Sequence, residues 1–236
     1  MEVLESALKE LQISYTPQNI EQFRQYMNGI LEWNEKINLT AIKDKEEFLV
    51  KHFIDSLLCL NYREYKSANN IIDVGTGAGF PGVPLAILSP AKEFLLMDSL
   101  NKRLKVIEEL AAQIELNNVK ILHARAEELA RRKEHREMYD LCVSRAVANL
   151  TVLSEYCLPF IKVGGYLLAY KGPEGERETE EAAKAIDLLG GKVEKIENMK
   201  LSHFDLNHKI IFIKKVKKTP SKFPRKSGTP AKEPLK

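Results

Sequence analysis

The chain has 236 residues, of which 44% are hydrophobic and 29% charged, with a formal net charge of +3. This hydrophobic content excludes a largely disordered chain, which combines low hydrophobicity with high net charge. No apolar run approaches the roughly 18 residues that span a bilayer, and the N-terminus lacks the apolar core of a secretory signal. Three cysteines without a C-x-x-C pair indicate neither a disulfide framework nor a zinc cluster. We therefore expect a cytoplasmic globular protein.

Residues 1–66 are predicted to form an N-terminal helical extension. Hydrophobic residues recur at helical spacing near the N-terminus and again over residues 46–60. Between these two segments, Thr16 and Pro17 supply the capping hydroxyl and the first-turn proline that mark a helix start. No strand pattern interrupts this part of the chain.

Residues 67–218 alternate between short apolar runs and amphipathic segments, which predicts alternating strands and helices. The expected strands are 70–74, 93–97, 119–122, 139–144, 166–171, 192–199 and 209–216. The expected helices follow the first strand and cover 102–116, 150–161 and 174–189. This alternation favours an α/β fold with a seven-stranded, mostly parallel sheet covered on both faces. The last connection is too short for a crossover, so we expect an antiparallel strand at the C-terminal end.

The last segment, residues 219–236, has four prolines and one glycine among mostly polar residues, so we expect a tail without regular structure. From Lys214 onward there are nine lysine or arginine residues and one glutamate, a local charge of +8, which leaves −5 for the rest. A basic tail on an acidic body is typical of proteins that bind polyanions, above all nucleic acid. A solubilising tail without a partner is the alternative.

A glycine-rich loop follows the first predicted strand. Gly75, Gly77 and Gly79 allow sharp turns and a close ligand approach, where parallel sheets bind their ligands. Asp98 ends the second predicted strand, where a carboxylate can accept hydrogen bonds from both hydroxyls of a ribose. Together these features indicate a cofactor that contains adenosine.

Two classes of cofactor fit this loop. Residues 77–82 formally match the G-x-G-x-x-G of nicotinamide enzymes. However, Phe80 and Pro81 place a ring and a missing N–H where a pyrophosphate needs amide donors. S-adenosylmethionine has no phosphate, so the spacing favours it over a nicotinamide dinucleotide.

Further candidate residues follow the third and fourth predicted strands. Glu127, after Ala126, can meet the edge of an adenine ring or stabilise a helix N-terminus, whereas for Glu128 we favour the helix role. Arg145 follows the fourth strand, nearest the reactive end of the cofactor. It can bind an RNA phosphate, stack on a base, contact the cofactor or form a surface ion pair.

Several motifs occur in a fixed order and are highly specific in combination. They are Trp33-Asn34-Glu35-Lys36-Ile37-Asn38-Leu39-Thr40, His52-Phe53-Ile54-Asp55-Ser56-Leu57, the segments 73–82 and 98–103, Ser144-Arg145-Ala146 and Lys171-Gly172. With them, residues 1–216 resemble the bacterial 16S ribosomal RNA guanine-N7 methyltransferase family, also called glucose-inhibited division protein B. The resemblance implies a Rossmann-like methyltransferase domain, S-adenosylmethionine as donor, and as acceptor a guanine in a small-subunit loop near the decoding centre.

The resemblance also implies site residues. The family's cofactor contacts fall on Gly75, Phe80, Ala126, Glu127 and Arg145, and Asp98 fits the ribose role by position. Candidate RNA-binding residues are basic positions in the motifs, before the last strand and in the tail: Arg145, Lys171, His208, Lys209, Lys222, Arg225 and Lys226. The family often has Arg-His where this chain has His208 and Lys209. His52 and Asp55 share a helical turn, for which we favour a packing role between helix and sheet.

The leading hypothesis is therefore a monomeric 16S rRNA guanine-N7 methyltransferase that uses no metal. Guanine N7 has a lone pair and no proton, so we expect positioning rather than a general base, with Arg145 as the one candidate for a catalytic role. An alternative is an RNA-binding ribosome-assembly factor with a vestigial cofactor pocket. A nicotinamide oxidoreductase ranks last.

Overall fold

The fold is built around one mixed sheet, seen in a computed structural model that describes residues 1–201 and 204–235. Its strands in these ranges are β1 (Asn70–Val74), β2 (Glu93–Asp98), β3 (Val119–His123), β4 (Tyr139–Arg145), β5 (Ile161–Lys171), β6 (Gly191–Leu201) and β7 (Phe204–Lys215). The α-helices in the same ranges are α1 (Glu2–Glu10), α2 (Pro17–Asn34), α3 (Lys45–Phe48), α4 (Asp55–Leu57), α5 (Arg63–Lys66), α6 (Gly82–Ile87), α7 (Asn101–Gln113), α8 (Ala126–Leu129), α9 (Leu150–Cys157), α10 (Gly175–Leu188) and α11 (Thr229–Lys232).

The strand order across the sheet is β3-β2-β1-β4-β5-β7-β6. The central strand β1 pairs in parallel with both β2 and β4, so that Ile72 lies opposite Leu95 on one side and Cys142 on the other. β7 runs antiparallel to both β5 and β6. This topology confirms the predicted Rossmann-like class. Because the strand order reverses beside β1, a crevice opens at the carboxyl ends of β1 and β4.

The N-terminal helices pack directly on the sheet domain. The predicted helix start is confirmed, since the Thr16 hydroxyl accepts a hydrogen bond from the Asn19 amide at 3.2 Å. A Cβ on Gly29 would overlap the Leu110 side chain, so α2 and α7 lie in close contact there. The buried Tyr26 hydroxyl donates to the Ala78 carbonyl at 2.9 Å. The extension and the sheet share one hydrophobic core, and the boundary at residue 66 stays a prediction from sequence.

Several predicted elements have different bounds in the structure. β5, expected over 166–171, spans Ile161–Lys171, and β7, expected over 209–216, spans Phe204–Lys215. The helix expected over 46–60 contains a π-helical stretch, Leu49–Ile54, between α3 and α4. The helix expected over 150–161 ends at Cys157, and β5 begins directly after the 3₁₀ turn Leu158–Phe160. Proline in a helix interior removes an N–H donor and clashes with the preceding turn, so Pro159 accounts for this early end.

The C-terminal segment, residues 219–235, lies against the main domain and contains α11, contrary to the expected tail without regular structure. Phe223 is 4% exposed and belongs to the core on one face of the sheet. The Arg136 guanidinium donates to the carbonyls of Thr219 at 2.8 Å and Phe223 at 2.9 Å. These contacts outweigh the polar composition on which the expectation rested; residue 236 lies outside the described residues.

We expect Tyr26→Phe to lower the free energy of unfolding by about 1–3 kcal/mol, because it leaves the buried Ala78 carbonyl without its hydroxyl donor while the ring packing stays intact. Tyr15→Phe is the matched control, since the half-buried Tyr15 hydroxyl makes only a 3.3 Å hydrogen bond to Glu5. Urea unfolding of both variants measures the difference. Equal effects would show that the contact between α2 and the glycine loop does not stabilise the fold.

Candidate active site

The glycine loop is held in place by Asp73, at the end of β1. Its Oδ2 accepts hydrogen bonds from the Thr76 hydroxyl at 2.7 Å and from the Gly82 amide at 2.9 Å. Burial raises the pKa of Asp73 to about 7, although these hydrogen bonds favour the charged carboxylate. One carboxylate therefore ties the start and the end of the loop together.

Two glycines of the loop have left-handed backbone conformations in places where a side chain would not fit. Gly75 has φ of 74°, and a Cβ there would overlap Val147. Gly79 has φ of 89°, and a Cβ there would overlap the Tyr26 hydroxyl. Gly75 thus permits the close packing of Val147, whereas the packing of Tyr26 explains Gly79.

A cavity of about 380 Å³, here called the Asp98 cavity, lies at the carboxyl ends of β1, β2 and β4. It is lined by Val74, Gly75, Met97, Asp98, Ser99, Leu100, Arg103, Ala124, Arg125, Ala126, Glu127, Ala146, Val147, Tyr156, Gly228 and Ala231. Four predicted cofactor residues line it: Gly75, Asp98, Ala126 and Glu127. Gly77, Gly79, Phe80 and Arg145 do not line it. The size is within the usual range for small-ligand sites.

Asp98, which lines this cavity, is 7% exposed. Its Oδ2 accepts from the Gly77 amide at 3.0 Å and its Oδ1 from the Leu100 amide at 2.8 Å. An ionised carboxylate has about four acceptor positions, so each oxygen can accept a second hydrogen bond. The residue therefore fits the predicted ribose contact while it also positions the loop.

Glu127 and Glu128 both hold the C-terminal segment, a role that the sequence analysis missed. Glu127 accepts from the Gly228 amide at 2.9 Å, and Glu128 accepts from the Ser227 hydroxyl at 2.9 Å. Gly228 and Ala231 consequently form part of the cavity wall. Phe223, a large apolar residue inside a polar tail, was the sequence signal for this packing.

A second cavity of about 640 Å³, here called the Arg145 cavity, adjoins the first. It is lined by Ile42, Lys51, His52, Asp55, Arg145, Ala146, Val147, Ala148, Asn149, Tyr170, Lys171, Gly172, Glu178 and His208. Ala146 and Val147 line both cavities. Three predicted RNA-binding residues, Arg145, Lys171 and His208, are thereby brought together from β4, β5 and β7.

Asp55, to which the sequence assigned no chemical role, is the centre of this second cavity. It is fully buried, with Oδ2 2.6 Å from the Arg145 Nη1 atom and Oδ1 2.6 Å from the His208 Nδ1 atom. Burial alone would raise the pKa of Asp55, but the hydrogen bond from His208 and the charge of Arg145 hold it below its usual value. The hydrogen bond to Asp55 raises the pKa of His208 above 6.5.

His52 is a neutral group beside this ion pair. Burial and the charge of Arg145 lower the pKa of His52 to about 3. Its Nδ1 lies 3.2 Å from the Arg145 Nη2 donor, and its Nε2 lies 2.7 Å from the Thr40 hydroxyl. The imidazole stacks flat on Phe80, with ring centroids 4.4 Å apart. Phe80 therefore supports the wall of the Arg145 cavity.

Three further predicted RNA-binding residues, Lys171 in the Arg145 cavity and Lys209 and Arg225 outside it, are paired with acids. Lys171 lies 2.7 Å from Glu178, and Lys209 lies 2.7 Å from Glu176. Arg225 lies 2.7 Å from Glu155. On the C-terminal segment, Lys222 and Lys226 are exposed. The structure does not bring these three tail residues to the Arg145 cavity.

Residues 1–201 and 204–235 contain no group of three or more His, Cys, Asp or Glu side chains arranged to hold a metal ion. Among the helices in this part of the chain, none is long and apolar enough to cross a membrane.

The fold and the loop-lined cavity place the chain among Rossmann-like methyltransferases. The O-methyltransferase from Bacillus cereus, solved in complex with SAH, superposes with a TM-score of 0.58 over 80% of this chain and 90% of its own, at 17% identity. Residues 19–218 match the family GidB, rRNA small subunit methyltransferase G, and the chain belongs to this family.

Curated relatives support the same family over the full length. The ribosomal RNA small subunit methyltransferase G of Clostridium tetani is 48% identical, and that of Alkaliphilus oremlandii is 49% identical. Each match covers 100% of this chain and 98% of the relative. The predicted family and enzyme class are confirmed, and the nicotinamide alternative is wrong.

We expect Asp98→Ala to weaken S-adenosylmethionine binding by about 1–3 kcal/mol, because it removes an acceptor for the ribose and releases the loop amides. Asp140→Ala is the matched control at the amino ends of β1 and β4, where that carboxylate accepts from the amides of Asn69 at 2.8 Å and Asn70 at 2.9 Å. Isothermal titration calorimetry measures both. Unchanged affinity for Asp98→Ala, or an equal loss in the control, would remove Asp98 from the binding site.

The paired His208 gives stability a defined pH dependence. A raised folded-state pKa means that the stabilisation is fully present below pH 6.5 and is lost as the pH rises through that raised value. The difference in unfolding free energy between wild type and His208→Gln should therefore shrink as the pH rises above 6.5.

His135→Gln is a control for which we expect the opposite change of stability with pH, because burial lowers the pKa of His135. For that variant the difference from wild type should grow as the pH rises towards 6.5 and then level off. Urea unfolding at pH values on both sides of 6.5 checks both trends, and parallel trends would contradict the assignment of His208 to Asp55.

Proposed function

We propose that this chain transfers the methyl group of S-adenosylmethionine to N7 of a guanine in 16S ribosomal RNA, in a small-subunit loop near the decoding centre. Its relatives carry the name ribosomal RNA small subunit methyltransferase G. In the same proposal the chain acts as a monomer in the cytoplasm, on the RNA of the small ribosomal subunit.

The observation that carries this proposal is the shared wall of the two cavities. Ala146 and Val147 line both the Asp98 cavity and the Arg145 cavity. Ala146 has φ of 56°, a backbone conformation that is uncommon for a residue other than glycine. The turn after β4 thus lies where a donor in one cavity and an acceptor in the other would meet.

The Asp98 cavity is the proposed cofactor site. Asp98 holds the ribose, Gly75 allows close backbone approach, and Ala126 and Glu127 meet the adenine. S-adenosylmethionine supplies an electrophilic methyl group on a sulfonium. Asp98 and Glu127 are buried carboxylates on its lining, which also includes Arg103 and Arg125.

The Arg145 cavity is the proposed acceptor site. Its lining has three cationic side chains, Lys51, Arg145 and Lys171, and two carboxylates, Asp55 and Glu178. The small excess of positive charge favours the approach of a polyanion. The flat His52–Phe80 stack gives one wall an aromatic character, which suits an unstacked base in a single-stranded loop. Arg145 is held by Asp55 in a fixed orientation, so it can position the acceptor without reorganising.

For methyl transfer to guanine N7, these residues mainly have to align the reactants. Guanine N7 presents an in-plane lone pair and carries no proton, so no base has to act before the bond forms. The residues around Ala146 have to hold the nucleophile and the methyl carbon in line, and such positioning can supply several kcal/mol of barrier lowering. Neutral His52 therefore needs no proton-transfer role.

Methylation of 16S rRNA tests the proposal directly. The purified chain and S-adenosylmethionine are incubated with small ribosomal subunits from a strain that lacks the family's gene. Borohydride and aniline then cleave the RNA at N7-methylated guanine. We expect one new cleavage site in 16S rRNA with the wild-type chain and a weaker one with Asp98→Ala at limiting cofactor.

No new cleavage on subunits or on naked rRNA would defeat the methyltransferase proposal. If the chain still bound small subunits in that case, the alternative of a ribosome-assembly factor with a vestigial pocket would take its place. Incorporation of labelled methyl at a position that resists aniline would instead assign a different acceptor atom.

A further inference from the structure

We propose that the C-terminal segment is a wall of the S-adenosylmethionine site, and that the Arg225–Glu155 pair is the positioning device that holds this wall in place. S-adenosylmethionine as the ligand is taken from the proposed function, while the acceptor plays no part. The tail expected to bind RNA would thus act on the cofactor.

The Arg225–Glu155 contact is the strongest single attachment of the segment. Arg225 donates from Nε at 3.0 Å and from Nη2 at 2.7 Å to the two carboxylate oxygens, and its backbone amide donates at 2.7 Å. Glu155 lies on α9 and is 1% exposed. A buried carboxylate without its partner is costly. This bidentate ion pair therefore strongly favours the conformation in which the segment is packed against α9.

A second attachment fixes the start of the segment. The Thr219 amide donates to Glu137 at 2.8 Å, and the Thr219 hydroxyl donates to the Leu189 carbonyl at 2.7 Å. Lys215, fully buried at the end of β7, donates to the same hydroxyl at 2.7 Å. With Phe223 buried between the two attachments, the path of the chain towards the cavity is determined.

The segment reaches the cavity just beyond Arg225. Ser227 donates to Glu128, and the Gly228 amide donates to Glu127 at 2.9 Å. Gly228 and Ala231 then line the Asp98 cavity, as Gly75 and Val147 do. Glu127 therefore has two roles: it lines the cavity, and it binds the segment that forms the C-terminal wall.

Charge pairing separates this role from RNA binding. The Arg225 guanidinium is occupied by Glu155, and this hydrogen bond raises the Arg225 pKa further. Lys226, the next residue, is exposed. Arg225 and Lys226 thus carry the same charge, but only the first is placed to fix the wall.

The test compares Arg225→Ala with Lys226→Ala, two full-length variants that each lose one positive charge from adjacent positions. Calorimetric titration with S-adenosylmethionine, in the absence of RNA, measures the dissociation constant. We expect Arg225→Ala to raise it by about tenfold or more, the factor for one well-made interaction, and Lys226→Ala to leave it within about twofold. Arg225→Lys should recover only part, because lysine cannot bond both oxygens at once.

Reversal of the pair tests positioning against simple destabilisation. Arg225→Glu should weaken cofactor binding at least as much as Arg225→Ala, and the added Glu155→Arg should restore a large part of it. Thermal unfolding of each variant shows whether the sheet domain stays folded. A chain that ends at Pro224, which keeps Thr219 and Phe223, should show the same loss of affinity.

Linkage supplies a readout that a merely structural segment would not give. If the packed segment raises the affinity for the cofactor by some factor, bound cofactor must favour the packed segment over the unpacked one by the same factor. Hydrogen exchange at the Gly228 amide should therefore slow when S-adenosylmethionine is added. Unchanged affinity in both Arg225→Ala and the chain ending at Pro224 would overturn the wall, as would equal losses in Arg225→Ala and Lys226→Ala.

These outcomes are distinct from a failure of the proposed function. Because the titration contains no RNA, an absence of rRNA methylation leaves the wall unaffected. A wild-type chain that binds no S-adenosylmethionine would overturn both the wall and the proposed cofactor.

Discussion

The reversal of strand order beside β1 is the constraint on which the site depends. The chain leaves β1 towards β2 and β3 on one side and continues to β4 and β5 on the other, so no crossover covers the carboxyl ends of β1 and β4. Both cavities lie at this gap. Segments that are far apart in sequence then meet there, from His52 before the sheet to Gly228 after it.

Buried carboxylates connect these distant segments to the sheet. Asp55 joins the N-terminal helices to β4 and β7, Asp98 joins β2 to the glycine loop, and Glu155 joins α9 to the C-terminal segment. Leaving such a group without its partner costs several kcal/mol. Each acid therefore specifies one arrangement of its segment, which burial of apolar side chains alone would leave less defined.

Local sequence signals were sufficient for the sheet and for the position of Asp98 beside the glycine loop. Thr16 and Pro17 marked a helix start, and the end of β2 placed Asp98 beside the loop, because these features depend on neighbouring residues. Asp55 has partners 90 and 153 residues away, and Glu155 has one 70 residues away. The prediction of an unstructured tail rested on its polar and basic composition. It did not take into account Phe223, whose buried ring packs the tail against the main domain.

The contribution of Gly228 and Ala231 to the lining of the Asp98 cavity has a consequence for limited proteolysis. A cut in the backbone between Lys215 and Gly228 would leave strands β1 to β7 covalently intact. The same cut would break the covalent link between these two lining residues and the rest of the cavity.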